Sequence, residues 1–359
     1  MKVAIVHDDL VQWGGAERVL EGICQIYPEA PIFTSVFDRS NPELAKRFGS
    51  RKIVTSFLQK IPGWRFLYKA LLPLYPIAFE QFNFDEFDLV ISHTTRFAKA
   101  ILTKPGTVHI AYCHTPPRFL YNFGGQFNFP ILKLFLNWLK HFDKISSARV
   151  DYFLAGSKNA QKRIKQIYGR DSQLLYPYVD LKRFKNIESF DGGYFLVVAR
   201  LNKYKRVDLI VGACQKLELP LKIVGTGSER KNLESRIKNQ GNIEFLGQVN
   251  DELLVHLLAG CRALIVAGEE DFGLTPLEAG VLGKPVIAFG SGGSLETVIN
   301  GKTGILFEEQ TVESLIAAIQ KFEKVEFNSA DVERNANRFS WENFKSSLQE
   351  IVASVVYTS

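Results

Sequence analysis

Short apolar runs alternate with amphipathic stretches along the first half of the chain. Residues 16–27 are amphipathic and place Ala16, Val19, Leu20, Ile23, Cys24 and Tyr27 on one face of a predicted helix. Strands that alternate with helices indicate a parallel sheet joined by right-handed crossovers. The apolar runs predict buried strands at residues 3–6, 32–37, 89–92, 109–112 and 152–155.

The same alternation starts again in the second half. A helix is predicted near 206–217, and a last helix over about 340–356. Two such sets indicate two Rossmann-like, doubly wound α/β domains that face a cleft. The second set of strands is predicted at residues 194–198, 221–224, 243–246, 263–266, 285–289 and 304–307. We expect an N-terminal domain over 1–185, a C-terminal domain over 186–338 and a terminal segment over 339–359.

One strand-to-helix turn of the second half combines carboxylates with glycine. Glu270 and Glu278 bracket the segment Phe272, Gly273 and Leu274. Ligands bind at such turns in open α/β sheets, and a helix N-terminus there favours an anion. A second interpretation stays open, in which Thr275 caps the helix, Glu278 is the far half of a capping box, and Glu270 lies in a solvated turn.

A basic loop follows the strand 194–198. Its Arg200 and Lys205 are placed to neutralise a diphosphate, the guanidinium as a planar fork and the ammonium as a point charge. The alternative is an ordinary solvated loop, because Lys203 and Arg206 lie in the same segment.

Glycine turns follow two other predicted strands. Gly14 and Gly15 lie between the first strand and the first helix, where backbone N–H groups can approach a phosphate or a sugar. Gly225, Thr226 and Gly227 follow the strand 221–224, where they would line the base and ribose of a nucleotide. Both segments are also compatible with simple tight turns.

His114 ends the strand 109–112 on a loop stiffened by Pro116 and Pro117, and Arg118 follows four residues later. A histidine at this position is placed to contact a ligand, although a structural role is the alternative. Arg118 is a candidate contact for an acceptor or a phosphate. Because every candidate follows a strand, we expect a site for an anionic, nucleotide-like ligand between the two domains. The spacing does not give the reaction.

Composition narrows the class of protein. The chain has 359 residues, 46% of them apolar and 23% charged, with a net charge of +6 that suggests an anionic partner. No recognisable nucleic-acid-binding module accompanies this charge, and no apolar run approaches the roughly 20 residues of a membrane span. The first residues do not form a signal peptide. The four cysteines have no metal or redox spacing, so we expect packing residues in a reducing cytoplasm.

Two basic, aromatic segments depart from the alternating pattern. Residues 51–78 contain no carboxylate, and residues 118–150 contain only Asp143. Such segments are typical of helices on an anionic membrane surface, whereas two core helices with solvated lysines are the alternative. In the second segment one helical face carries Lys133, Asn137, Lys140 and Lys144.

Together these residues resemble a known enzyme family. The Glu270–Glu278 spacing, the Arg200 and Lys205 pair, the glycines at 14–15 and His114 resemble a family 4 retaining glycosyltransferase of the GT-B fold. The similarity covers nearly the whole chain and is most specific over 278–288. Residues 339–341 also resemble the start of the family's last helix, which crosses back to the N-terminal domain.

The resemblance implies roles in binding a sugar nucleotide. Glu278 would bind the ribose hydroxyls, and Glu270 would hold the transferred sugar together with the backbone N–H groups of Phe272, Gly273 and Leu274. Arg200 and Lys205 would bind the diphosphate and stabilise its charge as it leaves.

In the N-terminal domain, Gly15 would bring N–H groups to the diphosphate, and His114 would contact the donor sugar. No metal and no cofactor are implied beyond the donor.

The opening Val-His-Asp-Asp-Leu and the loop 112–118 are most similar to bacterial or archaeal mannosyltransferases of lipid-linked surface polysaccharides. This similarity implies GDP-mannose as donor and a polyprenyl-diphosphate-linked glycan as acceptor. It also implies a cytoplasmic protein, peripheral on the inner face of the membrane. A UDP-sugar donor, a sugar-nucleotide epimerase or a phosphorylase of the same fold, and a non-catalytic scaffold are the alternatives.

Overall fold

The computed structural model describes residues 1–68, 70–121, 130–237 and 241–356, and their side chains outside 130–134. The chain divides into two units, Met1–Pro177 with Phe344–Ser359, and Tyr178–Asn343. The boundary therefore precedes the one expected between residues 185 and 186. Residues 178–185 belong with the second unit because they bond to it: the N–H group of Val179 donates to the Phe339 carbonyl at 2.8 Å.

The first unit contains a parallel sheet that is wound in both directions from its first strand. Among the described residues its seven strands have the order β3-β2-β1-β4-β5-β6-β7. The strand order reverses between β1 and β4. Doubly wound sheets bind ligands in the crevice at such a point. The strands are β1 (Val3–His7), β2 (Ile32–Thr34), β3 (Ile53–Thr55), β4 (Leu89–Thr94), β5 (Val108–Cys113), β6 (Tyr152–Ala155) and β7 (Ser172–Leu174).

Helices cover this first sheet, and α1 buries the face predicted for it, with Val19, Leu20, Ile23 and Cys24 in the core. The interior strands are buried on both faces, which explains why they read as continuous apolar runs. The helices are α1 (Gly15–Ile26), α2 (Pro42–Phe48), α3 (Trp64–Leu67), α4 (Tyr75–Glu80), α5 (Arg118–Tyr121), α6 (Pro130–Ser147) and α7 (Lys158–Tyr168).

The second unit repeats the design with six strands in the described part of the chain, in the order β10-β9-β8-β11-β12-β13. In this sheet the strand order reverses between β8 and β11. The strands are β8 (Tyr194–Val198), β9 (Leu221–Val224), β10 (Ile243–Gly247), β11 (Cys261–Val266), β12 (Val286–Phe289) and β13 (Gly304–Phe307).

The helices of the second unit are α8 (Val207–Lys216), α9 (Arg230–Ser235), α10 (Asp251–Gly260), α11 (Leu274–Val281), α12 (Ser294–Thr297), α13 (Val312–Phe322) and α14 (Ser329–Asn337). The last helix is α15 (Trp341–Val356), and its residues from Phe344 onward belong to the first unit, as the resemblance implied. Short 3-10 turns lie at Phe57–Lys60, Leu72–Leu74, Ala98–Ala100, Leu181–Phe184 and Lys203–Lys205.

The structure confirms the predicted fold class and each strand that the sequence predicted. Two strands of the described chain, β3 and β7, were not predicted. Both are three-residue strands at the edges of the first sheet and are only partly buried, so neither produces a long apolar run. The cysteines Cys24, Cys113, Cys214 and Cys261 are all buried, as expected of packing residues.

The two basic, aromatic segments contribute to the core of the first unit as well as to its surface. Leu58, Trp64 and Tyr75 are buried, whereas Phe66 is 91% exposed and Trp138 46% exposed. Within the described residues, no helix combines the length and the apolar character needed to cross a membrane. Lys69 and the side chain of Lys133, both part of the surface-binding prediction, lie outside the described residues.

Asp143, the single carboxylate of the second basic segment, is fully buried. It pairs with Lys99, which is itself buried, and accepts hydrogen bonds from the hydroxyls of Tyr121 and Tyr168, both at 2.8 Å. A buried charge needs such partners. Asp143 thus joins α6 to α5, to α7 and to the segment after β4, a role that the scarcity of carboxylates around it did not reveal.

Candidate functional site

In the second unit, one predicted cation and one predicted carboxylate meet at the point where the strand order of the sheet reverses. The loop after β8 places Lys205 against Glu270, which follows β11, and the two side chains form an ion pair. The approach is close because residue 268 is glycine: a Cβ there would lie 2.7 Å from the Cα of Lys205. Arg200 is exposed at the start of the same loop. A pair of cations and a carboxylate therefore line the edge of the sheet at which an anionic ligand is expected.

The glycine turn after β9 packs directly on this basic loop. Gly225 has a φ of +125°, and a Cβ on it would lie 1.9 Å from the carbonyl oxygen of Ala199. A Cβ on Gly227 would lie 2.3 Å from the carbonyl oxygen of Leu201, whose own N–H group donates to the Thr226 carbonyl at 2.9 Å. The two loops can lie this close because both turn residues lack a side chain. The sequence predicted both loops, and the structure makes them neighbours.

The capping-box interpretation of the acidic turn is wrong. Gly273, with φ 89° and ψ 92°, is the N-cap of α11, and the helix begins at Leu274, so that Thr275 lies inside the first turn. The chain turns at a backbone conformation that favours glycine, and this sets the start of the helix earlier than the Thr-Pro signal did. No side chain caps this described helix start. Its first N–H groups are thus suited to an anion.

Glu278 is buried within α11 and pairs with a residue that the sequence did not predict. The side chain of Arg183 forms an ion pair with Glu278 and a second with Asp251, in which its Nε lies 2.9 Å from Oδ2. Burial opposes the charge of Arg183, but the two carboxylates hold its pKa above the ordinary value. Arg183 lies 95 residues before Glu278 in the chain, so no spacing pattern connects them. Arg183 fixes the Glu278 carboxylate and compensates its charge.

In the first unit, the reversal point between β1 and β4 is built around Asp8. Its carboxylate accepts hydrogen bonds from the backbone N–H groups of Thr95 (2.6 Å), Arg96 (2.9 Å), Phe97 (2.8 Å) and Ala98 (2.8 Å), and from the Thr95 hydroxyl (3.0 Å). Burial raises the pKa of Asp8, but Arg96 and these N–H groups together hold it below its ordinary value. Asp8 thereby fixes the loop that follows β4.

Asp9 is equally buried and pairs with the guanidinium of Arg96 at 2.5 Å. The Tyr75 hydroxyl lies 3.3 Å from the same carboxylate oxygen. Gly14 and Gly15 follow in the chain, and α1 begins at Gly15 with an extended Gly14 as its N-cap. The Asp-Asp pair after a buried strand was a visible signal for this cluster, but the sequence did not identify its partners.

His114 is half-buried after β5 and belongs to a row of three histidines. Its Nε2 lies 2.7 Å from Nε2 of His93, and Nδ1 of His93 lies 3.0 Å from Nδ1 of His7. His7 and His93 are direct partners in the register of β1 and β4. The sequence predicted His114 alone, although the other two also stand near the carboxyl ends of strands.

Arg118 is half-buried and begins α5. On the preceding loop, the Thr115 hydroxyl accepts a hydrogen bond from Arg163 of α7 at 3.2 Å. The loop that leads to Arg118 is therefore held in place, and the role of Arg118 remains a prediction. Among the described residues, no three His, Cys, Asp or Glu side chains are grouped as a metal site requires.

Two family models match the chain in succession. The model for Glycosyltransferase Family 4 matches residues 13–183, and the model for Glycosyl transferases group 1 matches residues 179–339. The two matches meet within the segment that joins the two units and together include every predicted site residue.

The individual proteins that resemble this chain have low sequence identity to it. An uncharacterized glycosyltransferase of Methanocaldococcus jannaschii is 25% identical in an alignment of 210 positions, gaps included, that covers 56% of this chain and 59% of that protein. The alpha-1,3/1,6-mannosyltransferase ALG2 of Mus musculus is 24% identical in an alignment of 412 positions, gaps included, that covers 99% of this chain and 96% of that protein. The crystal structure of Anabaena HepE in complex with UDP-glucose has a TM-score of 0.72 and 17% identity, over 99% of this chain and all of that one. This structural similarity shows that the two proteins share a fold.

Proposed function

Because the chain belongs to family 4 of the glycosyltransferases and has the GT-B fold, we propose that it transfers mannose from GDP-mannose to a lipid-linked glycan, with retention of the anomeric configuration. The observation that carries this proposal is the juxtaposition of Lys205 and Glu270 beside Arg200 at the reversal point of the second sheet. A cation for the diphosphate and a carboxylate for the sugar lie side by side there.

The proposed chemistry follows from where charge develops. As the bond to the sugar breaks, the departing diphosphate gains negative charge, which Arg200 and Lys205 are placed to stabilise. The start of α11 adds backbone N–H groups beside Glu270. We propose that these groups supply the electrostatic stabilisation and that the reaction needs neither a metal nor a cofactor. Glu278, oriented by Arg183, would accept hydrogen bonds from the ribose hydroxyls.

The choice of donor rests on the relatives. ALG2 of Mus musculus is named a mannosyltransferase and aligns with nearly the whole chain, which supports mannose. The Anabaena structure holds UDP-glucose, which makes a UDP-hexose the second candidate. The two candidates share the fold and the site and differ in the base and the sugar.

A panel of nucleotides distinguishes the donors. We expect GDP and GDP-mannose to raise the thermal unfolding midpoint, because a ligand at 100 times its dissociation constant adds about 2.7 kcal/mol to the unfolding free energy. Arg200→Ala is expected to reduce that shift, and Lys203→Ala, on the same loop, to keep it. A shift with UDP and UDP-glucose alone would replace the donor, and no shift with any sugar nucleotide would contradict the function.

We propose that the first unit binds the lipid-linked acceptor at the inner surface of the cell membrane, in the cytoplasm. Phe66 is 91% exposed on α3, and its neighbour Arg65, which pairs with Asp38 at 3.1 Å, has a side chain that is 52% exposed. An exposed aromatic ring beside a cation suits an anionic lipid surface. Binding should be stronger to anionic than to neutral vesicles and weaker for Phe66→Ser, with Leu102→Ser as an exposed control in the same unit. Equal sedimentation with both kinds of vesicle would contradict this assignment.

Arg118 is proposed to contact the acceptor or its phosphate. In that role, Arg118→Ala should raise the Michaelis constant for the acceptor and leave that for the donor unchanged. A variant with wild-type kinetics toward both substrates would rule out the contact.

A further inference from the structure

Three imidazole rings connect the interior of the first unit to His114. They stand on β1 (His7), on β4 (His93) and directly after β5 (His114), and consecutive rings are in hydrogen-bond contact at 3.0 Å and 2.7 Å. His93 is fully buried and stacks on Tyr112 at 5.5 Å with an interplanar angle of 11°. At the inner end, Nε2 of His7 lies 3.8 Å from the carboxylate of Glu17, which is buried in the first turn of α1.

His7 lies at the inner end of this row, and its contacts indicate which of its ring nitrogens carry protons. Its Nδ1 lies 3.3 Å from the carbonyl oxygen of His93, and its Nε2 faces the Glu17 carboxylate. A carbonyl and a carboxylate can only accept hydrogen bonds, so both ring nitrogens of His7 face groups that require an N–H. Burial lowers the pKa of His7, but Glu17, with Asp8 and Asp9 nearby, raises it above the ordinary value. The two contacts therefore favour an N–H group on each ring nitrogen of His7, beside the Glu17 carboxylate.

The positions of the protons on His93 and His114 follow from the proton on Nδ1 of His7. Burial, together with the neighbouring charge of His7, holds the pKa of His93 well below its ordinary value, so this ring is neutral and has one proton. Because Nδ1 of His93 accepts from His7, the proton of His93 is on Nε2, which faces His114. Nε2 of His114 then accepts, and the proton of a neutral His114 is on Nδ1.

We propose that Glu17, His7 and His93 are positioning residues that hold His114 neutral, with its proton on Nδ1, so that His114 acts as a hydrogen-bond donor and not as an acid or a base. What His114 contacts rests on the function proposed above, whereas its proton state rests on the contacts within the first unit. A second proton on His114 would have to occupy Nε2, where the N–H of His93 already points.

The positive charge could reach His114 through two proton shifts, from Nδ1 of His7 to Nδ1 of His93 and from Nε2 of His93 to Nε2 of His114. Both shifts together conserve every proton and leave His7 neutral beside Glu17, so the lost ion pair opposes them. In the part of the chain that the structure describes, the charged or titratable groups near the row include Glu17 on α1, Asp8 and Asp9 after β1, Arg96 after β4 and Tyr112 on β5.

Nitrogen-15 NMR of the histidine-labelled full chain, without donor, tests this assignment. The chain has six histidines, and the exposed His141 and His256 serve as internal references. We expect His114 to show an Nδ1–H tautomer that does not change between about pH 5 and pH 8, the range in which an unperturbed imidazole changes its charge. His93→Phe should release His114, so that both tautomers appear and its pKa moves toward about 6.5.

Glu17→Gln tests the inner end without removing a ring. His7 should then lose its charge at neutral pH, and the pKa of His114 should rise, because one charge that opposed its protonation is gone. Glu21→Gln, on the same helix and paired with Arg47 at 2.8 Å, is the matched control and should change neither. A proton on Nε2 of wild-type His114, or a His7 charge that is insensitive to Glu17→Gln, would overturn the assignment. The outcome does not depend on turnover, so loss of the proposed transferase function would appear separately, in the donor panel.

Discussion

At the scale of the residue, Arg200 and Lys205 differ in their surroundings although they share one loop. Arg200 is exposed, whereas Lys205 is partly buried against Glu270, with 15% of its side chain exposed. Removing Lys205 would also leave Glu270 without its partner, so Arg200 gives the cleaner test of the charge on the departing diphosphate.

We expect Arg200→Ala to lower kcat by about 10²- to 10³-fold, the usual cost of removing one group that stabilises charge in the transition state. Steady-state GDP release at saturating donor measures the effect. Lys203→Ala, an exposed cation on the same loop, should keep kcat within about twofold of wild type. An equal decrease of kcat in both variants would show that the loop acts only through its net positive charge and not through Arg200 in particular.

Glu278 has two roles that a substitution can separate. Glu278→Gln keeps the shape of the side chain but weakens a hydrogen bond to the ribose, so the donor KM should rise about tenfold, equivalent to about 1.4 kcal/mol. The unfolding midpoint should change little, because Arg183 retains Asp251 as a partner. Glu252→Gln, an exposed carboxylate on α10, is the control. An unchanged donor KM would remove Glu278 from the binding site.

Sequence reasoning found the residues that stand on local motifs and missed those paired across the fold. Lys205 and Glu270 were recognised separately, and their ion pair follows from strand order. Arg183 and the histidines before His114 were missed because their partners lie far away in the chain; His7 and His93 are 86 residues apart. Such pairings depend on strand register, which spacing along one chain does not contain.

At the scale of the element, two turns are set by glycine backbone geometry. Gly225 and Gly273 both have positive φ, and each determines how its loop reaches the site. The start of α11 was predicted wrongly because the Thr-Pro capping signal is a local preference, whereas the turn at Gly273 sets where the helix begins. The interior strands were predictable from their apolar runs, and the short edge strands β3 and β7 were not.

Gly225→Ala should destabilise the second unit by about 2–4 kcal/mol, since its Cβ would overlap the Ala199 carbonyl. Thermal unfolding followed by circular dichroism measures this loss. Gly241→Ala is the matched control, because a Cβ there meets nothing within 4 Å. If the two variants unfolded at the same temperature, the close packing of the β9 turn on the basic loop would be refuted.

The loop after β4 depends on the charge of Asp8, which makes its stability sensitive to acid. The folded-state pKa of Asp8 lies below its ordinary value, so the stabilisation is present above the unfolded-state pKa of about 3.9 and is lost as the pH falls toward the folded-state pKa. Asp8→Asn should cost at least about 2 kcal/mol at pH 7, because an amide cannot accept all of these hydrogen bonds.

Urea unfolding of wild type and Asp8→Asn at pH 7 and near pH 3, which lies below the unfolded-state pKa of about 3.9, measures this dependence. The advantage of the wild type should shrink at the lower pH, whereas Asp88→Asn, at a side chain that is 61% exposed, should differ little from wild type at either pH. A difference for Asp8→Asn that is constant with pH would indicate a steric effect of the substitution.

At the scale of the whole molecule, the chain repeats one design twice. Each unit is a doubly wound parallel sheet with chemically active residues at the point where strand order reverses. The alternation of apolar runs predicted this architecture, and the resemblance to family 4 glycosyltransferases specified it further. The domain boundary was less predictable, because the joining segment is assigned by contacts such as that of Val179 with Phe339 and not by composition.

Transfer itself is the most direct test of the proposed function. The full chain would be incubated with GDP-mannose carrying carbon-13 at the anomeric carbon, together with a membrane lipid extract, and the product would be examined by NMR. We predict release of GDP and a lipid-linked mannose whose anomeric carbon–proton coupling is that of an α-linkage, as in the donor. In Arg200→Ala, both products should form about 10²- to 10³-fold more slowly. A β-linked product, or no transfer from either GDP-mannose or UDP-glucose, would contradict a retaining glycosyltransferase.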